Sequence, residues 1–151
     1  AYTAVADAAE AADAAVDRGD LVGRIVGAAT AIRRWAVANP HVDVLGHCTG
    51  RMIAKRDPSQ FDPDYVFAAC ARFSTAVEIN CRPERLDPPR PLLAMAIEHG
   101  CHFTIDTDAH ATGQLEWLPK GCDRAAETGV PIERVLNSWS ADDLLRWGTA
   151  R

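Results

Sequence analysis

No stretch of this sequence reaches the roughly 18 consecutive apolar residues that a membrane-spanning helix needs, so no part of it is expected to enter a bilayer. A basic excess is also missing: 16 Lys and Arg stand against 21 Asp and Glu, for a net charge of -5. That balance argues against a surface built mainly to grip a phosphate backbone. It still allows a nucleic-acid end or a phosphorylated metabolite held through metal ions, because the ions bring the positive charge. No CxxC pair occurs among the five cysteines, Cys48, Cys70, Cys81, Cys101 and Cys122, which are odd in number and widely spaced. Reduced thiols in a cytoplasmic protein fit this pattern better than a disulfide framework or a structural zinc. A glycine-rich phosphate loop, a GxSxG elbow and an HExxH helix are absent. The alanine-rich start carries Asp7, Glu10 and Asp13 without a basic stretch, so it does not read as a secretory signal.

What is present is 151 residues, 48% hydrophobic and 25% charged, enough for one domain with a core. Residues 3–18 are helix-prone by composition, and Gly19 is a stop signal. A second helix is expected over 20–38, with Asp20 as its cap. Leu21, Ile25, Ile32 and Trp35 form its apolar stripe, widened by Val22, Val26 and Ala29. Asn39-Pro40 ends it. Val42 to Gly46 reads as a buried strand ending at His47, followed by a loop over 48–62. Asp62-Pro63 opens a helix over 63–73. Thr75 to Asn80 is the next strand, Cys81 to Pro89 a polar loop, and Pro91 to His99 a helix closed by Gly100. Cys101 to Asp106 is a third strand. Helix signals follow near 120–128 and 140–147, with an apolar stretch, Ile132 to Leu136, between them. Strand, polar loop and helix repeat in that order. This is the rhythm of βα units on a parallel sheet, whose strand ends are where sites are built.

Three strand ends carry candidate ligands. His47 ends the first. Asn80 ends the second, with Glu78 inside the strand. Asp108 and His110 follow the third. Asp-x-His after a strand places both side chains on one side of an extended backbone, and imidazole with carboxylate suits zinc, manganese or iron. The competing reading is a loop aspartate capping a turn beside a solvated histidine. Arg51, Arg82 and Arg85 on the following loops are natural phosphate clamps, or else charges on a solvated rim. His41, His99 and His102 read as structural, and Trp35, Trp117, Trp139 and Trp147 as packing residues. Cys48 beside His47 ranks well below the metal reading as a nucleophile, since adjacent side chains point apart.

The run NPHVDVLGHCTGR (Asn39 to Arg51), then AVEIN (Ala76 to Asn80) with RPERLD (Arg82 to Asp87), then IDTDAH (Ile105 to His110), resembles the PHP (polymerase and histidinol phosphatase) family. The likeness is greatest to the PHP domain attached to bacterial family X DNA polymerases and to stand-alone actinobacterial PHP proteins. It spans residues 30–147. The resemblance implies a distorted (βα)7 barrel, α/β in class, holding a cluster of metal ions that activate water for phosphoester hydrolysis. By motif, His47, Asp108 and His110 correspond to metal ligands, while Arg51 and Asn80 correspond to supporting or substrate-contact positions. The family's early His-x-His and its SVH-type segment are absent. The chain is therefore expected to hold only the later βα units, residues 26–151, behind a dissimilar helical segment, 1–25. Two functions follow. One is a metal-dependent phosphoesterase, incomplete in this chain, acting on a phosphorylated small molecule or a nucleic-acid end. The other is a non-catalytic half-barrel that associates with itself through open sheet edges.

Overall fold

The computed structural model describes residues 21–149. The helix-prone stretch 3–18, its stop at Gly19 and the cap at Asp20 lie outside the described residues. Among the described residues there are five α-helices and a three-stranded parallel sheet. Helix α1 is Leu21–Val37, strand β1 Val44–Leu45, helix α2 Pro63–Arg72 and strand β2 Ala76–Asn80. Helix α3 is Arg90–Glu98, strand β3 Phe103–Asp106, helix α4 Leu118–Thr128 and helix α5 Ala141–Thr149. No described helix is long and apolar enough to cross a membrane.

The sheet order is β1-β2-β3. Leu45 pairs with Val77, Val77 with Phe103, and Asn80 with Asp106. A strand alternates its side chains between faces. Val77, Ile79, Phe103 and Ile105 therefore share one face and enter the core with Val66, Phe67 and Cys70 of α2, Leu93 and Ala96 of α3, and Ala125 of α4. Phe67, Phe103, Ile79 and Leu93 are fully buried, and each contributes roughly 1.5–3 kcal/mol. Glu78, Asn80, Thr104 and Asp106 occupy the opposite face. Helix α4 comes close to the strands through Gly121, where a Cβ would meet Cys81 Sγ and lie 2.6 Å from Ile105 Cγ2. The Asp62 carboxylate accepts from Tyr65 N–H at 3.1 Å and Pro63 fills the first turn, so α2 starts where its sequence says.

Two expectations are corrected, and a third stretch gains a structure. Helix α1 forms, but Val22, Ile25, Ile32 and Trp35 are 51–66% exposed. The helix instead buries Thr30 and Val37 and packs Ala29 against the core. Thr30 Oγ1 accepts from Asp62 N–H at 2.8 Å, and Arg33 donates to Cys48 O at 2.9 Å. A polar edge docks it, so the helix turns the margin of the expected stripe, at Ala29, to the core and the centre of that stripe to solvent. Strand β1 has two residues, with Val44 exposed at the sheet edge, and is not a buried strand. The stretch from Ile132 forms two short 3-10 turns, Ile132–Arg134 and Leu136–Ser138, with Val135 bridging to Phe103. Asn137 exchanges both amide groups with the backbone of Ile105, at 2.8 and 3.1 Å.

The structural histidines and tryptophans divide. His99 pairs with Asp64 at 2.9 Å, His41 stays exposed, and Trp35 faces solvent. His102, Trp139 and Trp147 form an edge-to-face cluster, with centroids 5.4–6.3 Å apart. Burial, aided by nearby Arg134, pushes the His102 imidazole below its ordinary 6.5. The unfolded chain therefore takes the proton first, and stability present above about pH 6.5 is lost as the pH falls toward the folded value. His102→Phe keeps a ring in the cluster and removes the charge. Between about pH 7.5 and about pH 5.5 its denaturation midpoint should fall less than that of the unmutated chain. Equal falls would mean that His102 plays no part in acid sensitivity.

Candidate functional site

All three strands point their C-terminal ends the same way, so the loops after them share one edge of the sheet. The loop after β1 is tied to the loop after β2 by Asp87, which is fully buried. Its carboxylate accepts from Thr49 N–H at 3.0 Å, Thr49 Oγ1–H at 2.8 Å and Gly50 N–H at 3.1 Å. Gly50 has φ 62, a conformation that favours glycine and allows this turn. Beneath this tie, buried Arg124 donates to Asn80 O at 3.4 Å and to Pro88 O.

His47 sits at φ 28, its imidazole half exposed. Its backbone N–H donates to Glu78 Oε2, and its Nδ1 lies 3.5 Å from the same oxygen. Burial raises the Glu78 carboxyl above its ordinary range, against the lowering effect of bonds from His47 and Asn80. Asn80 is buried, donates to Glu78 Oε1 at 3.2 Å and accepts from Arg82 N–H at 3.0 Å. Its side chain is therefore engaged within the strand end.

Asp108 has φ 54, so the backbone from Asp108 to His110 is not the extended one that the spacing suggested. Aspartate tolerates this left-handed conformation better than most residues. The two side chains still meet: His110 Nδ1 lies 2.7 Å from Asp108 O and 3.9 Å from Asp108 Oδ1. Gln114 holds the His110 N–H at 2.6 Å. Arg85 donates to Asp108 Oδ2 at 3.0 Å, and Arg82 Nη1 lies 3.8 Å from that oxygen and 3.4 Å from His110 Nδ1. Arg82 also stands 5.9 Å from the Trp117 ring centroid. Arg51 turns inward, donating to Arg85 O at 2.6 Å and to Leu86 O, so it braces the second loop.

The strand-end ligand candidates therefore fall into two pairs, His47 with Glu78 and Asp108 with His110. Among the described residues no group of three His, Cys, Asp or Glu is placed to hold a metal ion. These residues alone do not complete a coordination sphere, and the Asp108 charge is already matched by arginine. All five thiols are free. Burial pushes Cys48 well up and Cys81 to about 11, so Cys48 beside His47 is a poor nucleophile. Glu78 is legible as a charged residue in a strand that ends among candidate ligands, but its pairing with His47 is not, and Asp87 and Arg124 go unread. A charged residue inside an apolar strand and an aspartate directly before a proline pair were the available signals.

Asp87→Ala would leave the Thr49 and Gly50 donors without their acceptor. A loss of roughly 2–4 kcal/mol in chemical denaturation is expected, with a smaller loss for Asp87→Asn. A loss under about 0.5 kcal/mol, the level of ordinary surface changes, would show that this tie does not hold the loops.

No family model matches this chain. Over 109 residues, 72% of its length, the chain is 35% identical to the DNA polymerase/3'-5' exonuclease PolX of Bacillus subtilis (strain 168). The match spans 19% of that protein, so this chain is similar to about a fifth of a longer relative.

Proposed function

We propose that this chain carries the later βα units of a PHP-type phosphoesterase barrel. In this reading its strand-end loops form one wall of a phosphoester-hydrolysing centre. The observation that carries it is the coincidence of two facts. Three PHP-like motifs end on one edge of a parallel sheet, and the matched relative is named as a 3'-5' exonuclease, an activity that hydrolyses phosphodiesters. His47, Asp108 and His110 would be that wall's ligands for zinc, manganese or iron. When bound, such ions polarise a phosphoryl oxygen and supply a hydroxide nucleophile. The remaining ligands would have to come from elsewhere, so no reaction step is drawn through these residues alone. What this chain itself supplies is anion affinity. Arg82 and Arg85 pair with Asp108, and with that carboxylate engaged by a metal ion they would be free to bind a phosphate. Asn80 and Arg51 hold the strand ends in place behind them.

The exposed apolar side of α1 favours a second reading, a non-catalytic half-barrel that acts through association. Metal uptake separates the two. Under the first reading, the isolated chain retains manganese or zinc after dialysis. Asp108→Ala then weakens binding by more than the roughly 10–100-fold that an outer-sphere change costs. Phosphatase turnover by the isolated chain is expected to be weak or absent. Elemental analysis showing equal, negligible metal in both proteins would remove the ligand assignment and leave the second reading.

A further inference from the structure

The candidate ligand His47 has an unusual backbone and an unusual neighbour. A non-glycine residue at positive φ is strained and persists only where its surroundings fix it. The surroundings here are Glu78, whose side chain is 10% exposed. Glu78 Oε2 takes the His47 backbone N–H and lies 3.5 Å from the imidazole Nδ1 of the same residue. Its other oxygen is held by Asn80 Nδ2 at 3.2 Å, and Asn80 is fixed in turn by Arg82 N–H at 3.0 Å. The carboxylate is thus aimed from both sides and has little freedom to rotate away.

We infer that Glu78 is the positioning residue of this site: it pins the left-handed backbone of His47 and draws the imidazole proton onto Nδ1, leaving Nε2 as the outward lone pair. A carboxylate behind an imidazole selects the tautomer and fixes the ring plane. His110 shows a related arrangement, its Nδ1 turned back to Asp108 O at 2.7 Å. The usefulness of the His47 lone pair rests on the proposed function, but its position does not.

The test is long-range ¹⁵N–¹H correlation on the metal-free chain at about pH 8, where an ordinary imidazole is neutral. The unmutated chain should show His47 with Nδ1 protonated and Nε2 unprotonated. Glu78→Gln keeps an acceptor for the backbone N–H and loses the charge. It should shift the ring toward the Nε2–H form that a free imidazole prefers, and Glu78→Ala should do so further. A predominantly Nε2–H ring in the unmutated chain, or a ratio unchanged by both substitutions, overturns the inference. If neither variant folds, the unmutated spectrum decides alone. Manganese uptake is read separately: an Nδ1–H ring in a chain that takes up no metal supports the positioning role and counts only against the phosphoesterase reading.

Discussion

The buried carboxylate of Asp87 sits between two loops that would otherwise be independent. Three donors from Thr49 and Gly50 end on it, and it lies in the loop that closes β2. Hydrogen bonds that end on a carboxylate are among the strong ones, and burying a carboxylate without them is costly. From that tie the order spreads. Arg51, the next residue along, crosses to the carbonyls of Arg85 and Leu86, and Arg85 in turn reaches Asp108 after β3. One continuous path joins the ends of all three strands. The candidate ligands lie on that path or beside it.

Helices α2, α3 and α4 were legible because caps, prolines and closing glycines are local signals. Strands β2 and β3 were legible because buried apolar runs between turn residues leave few alternatives. Helix α1 was found, but the centre of its expected stripe faces solvent. Its apolar stripe is real in sequence, yet Thr30 and Arg33 hold the opposite side to the loops around Asp62 and Cys48. A long-range hydrogen bond has no period to read. The same limit hid Asp87 and Arg124, whose partners lie more than thirty positions away. His47, Asp108 and His110 were singled out by motif, and the sheet brings their loops to one edge. Their local geometry was not readable, because the left-handed turns at His47 and Asp108 depend on Glu78 and on the arginine rim.

The two faces of the sheet differ in chemistry. One face is closed by helices and is apolar at Val77, Ile79, Phe103 and Ile105. The other presents Glu78, Asn80, Thr104 and Asp106, residue types suited to a polar, ligand-bearing interior. Val44 at one edge and the α1 stripe beside it stay exposed. A polar sheet face thus lies next to uncovered apolar surface.

The central claim is that the three strand-end loops form one wall able to face a metal ion. Substoichiometric manganese added to the ¹⁵N-labelled chain tests it directly through paramagnetic broadening. The amides of His47 and of Asp108 to His110 should broaden together, ahead of those in α2 and α3. Broadening centred on the exposed acidic turn at Asp142 and Asp143, with His47 and His110 unaffected, would contradict it.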